Sequence, residues 1–124
     1  MKIFIPEGIA NFLATIVEKQ AKKKGIKVIA YDRLIMNTDA VSYYATFDNY
    51  KVGTIQGEYL VDKLGLKNRS SSDPVYMELF TGDPGDNNIN FFFGGAMDIL
   101  NPYIESGVIV VPSKQTSKAQ CATI

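Results

Sequence analysis

Two short polar clusters carry the residue types for chemistry in this chain: Asp32-Arg33, and Asp83, Asp86, Asn87 and Asn88. An Asp beside an Arg supplies two acceptor oxygens and a planar fork of donors, while Asn donates and accepts at once. That combination suits a polyhydroxylated, uncharged ligand. Taken alone, the residues leave plainer readings open. The Asp-Arg pair also fits a salt-bridging surface turn, and Asp86 fits a helix amino-terminal cap worth about 1 kcal/mol. The chain has no histidine, so the commonest general base and metal ligand is missing, and Ser-His, Cys-His and zinc chemistry are disfavoured. An enzyme using Asp32 or Asp86 as acid or base would need a pKa-raising apolar pocket, of which the sequence gives no sign. Gly82-x-x-Gly85 lacks the further glycine and the Lys-Ser/Thr of phosphate loops, and its acids would repel phosphate. Asp83 and Asp86 lack the spaced ligand series of a calcium loop. No cofactor and no metal is expected.

The elements that must position these clusters alternate between strand and helix. Residues 26–33 form an apolar run ending in Asp32-Arg33 and preceded by Gly25, the pattern of a buried parallel strand entered from a helix. In open α/β sheets ligands bind at the carboxyl ends of such strands. Upstream, residues 3–5 read as a strand closed by Pro6. Ile9, Phe12, Leu13, Ile16 and Val17 then fall at helical spacing, with Glu18, Lys19 and Lys22 to Lys24 on the polar face. Residues 41–47 read as a further strand. Asp48-Asn49 offers a cap for a helix expected to bury Val52, Ile55, Tyr59, Leu60 and Leu64. Gly53 and Gly57, four apart on that helix, would let a neighbouring backbone approach closely.

Residues 66–74 are the most polar stretch and read as a linker or long surface loop. Beyond them the pattern predicts a strand at 75–80, the polar loop 81–88 and a helix over about 88–103. That helix would present Phe92, Phe93, Ala96, Met97, Leu100 and Tyr103 to a core. Phe91 to Phe93 read as core with one ring partly exposed. A last strand covers 108–111, and the tail 113–124 shows no clear element. The order β-α-β-β-α-linker-β-α-β is an α/β pattern with a mainly parallel sheet.

With 124 residues, the chain has the length of about one ordinary domain. Thirteen basic and thirteen acidic residues cancel, which argues against nucleic acid or an anionic membrane as the main partner. Cys121 is the single cysteine and excludes an intrachain disulfide. No apolar run approaches the ~20 residues of a membrane span, and the first residues are too short a pattern for a secretory signal.

Gly25 to Ile35, Thr46-Phe47-Asp48-Asn49, Tyr59 to Gly65, Asp86-Asn87-Asn88, Gly95-Ala96-Met97 and Pro102-Tyr103-Ile104 together resemble the type I periplasmic sugar-binding proteins, in their xylose-binding and multiple-sugar-binding branch. The resemblance implies a Rossmann-like, parallel-sheet α/β fold of two lobes, only partly present in a chain of this length. It divides the chain into 1–66 as part of lobe one (β-α-β-β-α), 67–74 as a crossover linker and 75–124 as part of lobe two (β-α-β plus tail). It further implies a non-enzymatic solute receptor of an ABC transporter that closes on an aldose such as xylose, glucose or arabinose, with a membrane permease as partner. Asp32 and Arg33 would bind the sugar from the first lobe, and Asp86 and Asn88 from the second.

The same resemblance implies a periplasmic location, whereas a natural product of this length without a signal peptide would be cytoplasmic. With part of the pocket missing, binding by this chain alone is expected to be weak or undetectable. Uncovered sheet edges should drive homo-oligomers or exchange of elements. The alternatives are the ligand-sensing module of a sugar-responsive transcription regulator, disfavoured by the lack of a basic helix-turn-helix, and a non-binding remnant that only oligomerises.

Overall fold

A computed structural model describes residues 16–122. The chain divides into two compact units, Met1–Phe47 and Asp48–Ile124. The strand expected at 3–5 and the first half of the following helix lie outside the described residues.

In the first unit, helix α1 is described over residues 16–23. Its end is set by Gly25, at φ +66°. There Gly25 N–H donates to Lys22 C=O (3.0 Å) and Ile26 N–H to Ala21 C=O (2.9 Å), the paired bonds of a Schellman stop. Strand β1 (Ile29–Tyr31) then pairs in parallel with β2 (Tyr43–Ala45), Ala30 opposite Tyr44. Lys22 Nζ donates to Asp39 Oδ2 at 2.5 Å and ties the end of α1 to the connection between the strands.

Two expectations are corrected in this unit. Within the run 26–33 only Ile29–Tyr31 form the parallel strand, and it is not buried: Ala30 lies inside, whereas Ile29 and Tyr31 are 65% and 79% exposed. Among the described residues the sheet holds two strands, fewer than surround a buried central strand. Helix α1 likewise exposes Ile16 and Val17 and buries Glu18. Among the described residues neither Glu18 carboxylate oxygen has a hydrogen-bond partner.

In the second unit, Asp48 caps helix α2 (Asn49–Lys63), its Oδ1 accepting from Lys51 N–H at 2.9 Å. Strands β3 (Val75–Tyr76) and β4 (Ile109–Val110) pair in parallel, with helix α3 (Asn88–Glu105) between them in sequence. The result is a β-α-β crossover. The core gathers Val61, Leu66, Leu100, Val108, Ile109 and Val111.

The face that α2 buries differs from expectation. Val52, Ile55 and Tyr59 are exposed, and the buried positions are Asn49, Gly53, Gly57 and Val61, each four residues from the last. A Cβ on Gly53 would sit 2.1 Å from Phe92 O, and one on Gly57 would sit 2.8 Å from Ile99 Cβ. The two helices therefore meet backbone to backbone, as the Gly53/Gly57 spacing foretold. Gly95 makes the reciprocal approach: a Cβ added there would sit 2.1 Å from Tyr50 O. Dispersion summed over this close crossing replaces the side-chain interdigitation that the apolar pattern suggested.

The stretch 66–74 also buries more than its polarity implied. Leu66 opens a short 3-10 turn, η1 (Leu66–Asn68), and is 1% exposed in the core. Contacts gather Asp48–Ile124 into one compact unit, within which α2 lays its small-residue stripe on α3. The tail carries an element that sequence reading left out. Helix α4 (Lys118–Cys121) starts with a capping box in which Ser117 and Gln120 bond each other's backbone reciprocally.

Candidate functional site

The first cluster is the turn that ends β1. Asp32 N–H donates to Ala45 C=O at 2.9 Å, which extends the ladder by one residue. The chain then reverses within three residues, since Arg33 N–H donates to Tyr31 C=O at 2.8 Å across an Asp32 held at φ +66°. A positive φ is uncommon outside glycine, and Asp tolerates it better than most residues. The Asp32 carbonyl accepts from Tyr44 Oη (3.0 Å) and Thr46 Oγ1 (3.2 Å). Asp32 and Arg33 are both exposed, so carboxylate and guanidinium stand at the carboxyl end of a parallel strand, where a solute can reach them.

The second cluster opens α3. Asp83 Oδ1 accepts from Gly85 N–H (2.7 Å), and Asp86 Oδ1 from Asn88 N–H (2.9 Å). These side-chain turns fold the loop onto the helix start. Asp86 thus serves in part as the local cap its residue type allowed. Asn88 is buried, and its Oδ1 accepts from Asn49 Nδ2 at 3.0 Å. Asn49 stands at the amino-terminal end of the stripe that continues through Gly53 and Gly57. The close crossing of α2 and α3 is what brings the two amides within bonding distance. Asn49 escaped sequence reasoning, which took Asp48-Asn49 only as a cap; the signal was its place four residues before Gly53.

The structure brings Asp86 and Asn88 together in the second unit and sets Asp32 beside Arg33 in the first. Beside the second cluster lies an open groove of about 360 Å³, lined among others by Phe80, Gly82, Ile89, Phe92 and Met97. Its mainly apolar wall offers few partners for hydroxyl groups, so polar recognition rests on the loop and not on the groove. Among the described residues no group of three or more His, Cys, Asp or Glu could hold a metal ion, and no helix is long and apolar enough to cross a membrane.

Parallel α/β units with polar clusters in the loops that follow their strands define a class of ligand-binding protein of the Rossmann-like type. The comparisons make this particular. The periplasmic binding protein domain family matches residues 9–123, and the chain belongs to that family. It is similar to the multiple sugar-binding periplasmic protein SbpA of Azospirillum brasilense, at 49% identity over 99% of this chain and 34% of the relative. It is similar as well to the D-xylose-binding periplasmic protein of Escherichia coli, at 44% identity over 80% of this chain and 27% of the relative. Among solved structures, an ABC transporter solute binding protein from Clostridium phytofermentans with bound β-D-glucose superposes with a TM-score of 0.81. It is 62% identical and covers 88% of this chain and 33% of its own. The chain spans about a third of the length of these relatives. They are named for binding solutes, not for catalysis.

Proposed function

We propose that this chain carries part of an aldose-binding site of a periplasmic solute receptor serving a sugar ABC transporter, with that transporter's permease as partner. Asp32 and Arg33 contribute contacts from the first unit, and Asp86 and Asn88 from the second. Charge-assisted bonds from carboxylate and guanidinium to sugar hydroxyls supply the affinity. In this reading 1–66 is part of the first lobe, 67–74 the crossover and 75–124 part of the second lobe. The observation that carries the reading is the Asp32-Arg33 turn, an exposed acceptor and donor pair held at the end of a parallel strand. Relatives that are named for sugars, or that hold glucose, support it.

The chain spans about a third of the length of its relatives, so part of the pocket is missing and the chain alone binds weakly, in the millimolar range. Isothermal titration with xylose, glucose, galactose and arabinose tests this, beside an Asp32→Ala, Arg33→Ala variant. Millimolar binding that the variant loses is expected. Equal heats from both proteins would remove Asp32 and Arg33 from the site, and sub-micromolar binding would show a complete pocket.

A further inference from the structure

The turn at Asp32 is held from outside. Nothing in its own three residues favours a positive φ strongly enough to fix it, because Asp only tolerates that region. The Arg33 to Tyr31 bond across it closes a γ-turn, a geometry that is strained when φ is positive. What the turn has is two donors, one from β2 and one from the residue just after it. Tyr44 and Thr46 are two residues apart, so they project from the same face of the extended chain there. Both reach the single Asp32 carbonyl, at 3.0 and 3.2 Å. A carbonyl has two lone pairs, and two hydroxyls fill both. The ladder bond from Asp32 N–H to Ala45 C=O, at 2.9 Å, falls between them and fixes the register in which the two hydroxyls arrive.

We infer that Tyr44 and Thr46 are positioning residues that hold Asp32 in its left-handed turn, so that its carboxylate and the Arg33 guanidinium are presented together to an incoming sugar. This rests on the aldose reading above. Without the two hydroxyls the Asp32 carbonyl turns toward water, φ relaxes to its ordinary negative range, and the side chains of Asp32 and Arg33 are reoriented relative to β1. Preorganisation of this kind lowers the ordering cost of binding instead of adding a contact. Neither positioning residue has to touch the ligand.

Two substitutions separate the parts. Asp32→Gly keeps the turn, since glycine adopts positive φ freely, and deletes the carboxylate. The pair Tyr44→Phe, Thr46→Val keeps the carboxylate and deletes the two hydroxyls at nearly constant shape. Each is made in the full chain, with glucose affinity read from amide shifts in NMR titration. The turn itself is read from the strong intraresidue amide to Hα cross-peak that marks positive φ.

The inference expects the double variant to lose that cross-peak at Asp32 and to bind glucose about tenfold more weakly, while the amide spectrum of α2 and α3 stays in place. Thr46→Ser, which keeps the hydroxyl, should bind within twofold of the parent chain. Should the double variant fail to fold, the single Thr46→Val carries the test with an expected three- to fivefold loss.

If Asp32→Gly loses binding while the double variant binds like the parent, the positioning role is overturned and the aldose reading stands. If Asp32→Gly binds as well as the parent, or if the parent chain gives no saturable shift with glucose, the aldose reading at this turn fails, and the inference fails with it. A double variant that binds weakly but keeps the Asp32 cross-peak would also overturn the positioning role, because the loss would then arise without release of the turn.

Discussion

Replacing Gly53 by alanine places a methyl group where α2 and α3 touch. The new Cβ would lie 2.1 Å from Phe92 O and 3.0 Å from Ala96 N. The first distance is roughly 1 Å short of van der Waals contact, and a helical carbonyl is fixed in its ladder and cannot swing aside. The helices must therefore move apart. Overpacking of this kind costs about 1–3 kcal/mol, and the shift also strains the Asn49 to Asn88 bond at the end of the same stripe, worth about 1 kcal/mol. Against this, alanine gains about 1 kcal/mol of helix propensity over glycine. The losses win by about 1–3 kcal/mol. Gly94 provides the control, because its added Cβ would meet only Tyr50 Cε2, at 3.8 Å, an ordinary contact. There the propensity gain stands alone, and Gly94→Ala should stabilise by about 0.5–1 kcal/mol. Urea unfolding followed by circular dichroism compares the midpoints. In heating experiments each kcal/mol corresponds to about 4–8 °C for a unit of this size. A Gly53→Ala protein as stable as Gly94→Ala would refute the backbone-to-backbone crossing and, with it, the account of how Asn49 reaches Asn88.

Asp39 gives a pH prediction. The hydrogen bond from Lys22 and then its charge hold the Asp39 carboxyl below its usual range. A depressed carboxyl adds stability that is present above its unfolded pKa and is lost as pH falls through the lower folded value. Lys22→Gln should therefore steepen acid unfolding less at low pH while lowering stability slightly near neutrality, and added salt should shrink the difference between the two proteins, since the pair is exposed. Cys121 is buried, its Sγ donates to Gln115 C=O at 3.2 Å, and burial followed by the nearby Glu78 charge pushes its thiol pKa up. Thiol reagent at pH 8 should label it in urea and leave it unmodified in buffer; equal labelling rates would show that the α4 region is open. Exposed Ile29, Tyr31, Tyr43 and Phe47 in the first unit, with Tyr76 and Phe80 in the second, leave apolar surface uncovered. Light scattering should report oligomers and an apolar dye should bind, whereas a clean monomer with no dye signal would contradict this.

The residue pattern revealed element types more readily than burial. The order of strands and helices from α1 to β4, the Gly25 stop, the Asp48 cap and the Gly53/Gly57 approach all follow from local rules that operate within a few residues. Burial is set by what lies across an element, and here the periodic apolar face of α2 was outcompeted. Val52, Ile55 and Tyr59 read as a core face, yet the closest packing available to α2 was through its small residues, so the larger ones face outward. Leu66 failed to register because one apolar side chain in a polar stretch has no period to reveal it. Helix α4 had a readable signal, the Ser117-x-x-Gln120 box, but only four helical residues to display it. Of the candidate site, residue type and strand-end position pointed to the clusters Asp32-Arg33 and Asp83 to Asn88, and the resemblance proposed Asp32, Arg33, Asp86 and Asn88 among them. The supports behind them, Tyr44, Thr46 and Asn49, act through backbone or partner contacts that residue type does not announce.

The central claim is that the loops after β1 and β3 recognise the hydroxyl groups of an aldose. An NMR titration of the 15N-labelled chain with glucose and xylose, carried to high millimolar concentration, reads every backbone amide at once. Saturable shifts concentrated at Asp32, Arg33, Asp86 and Asn88, sharing one dissociation constant, are the predicted result. A spectrum that does not change at those four amides, or that saturates only along the apolar groove by Phe80 and Phe92, would contradict the account.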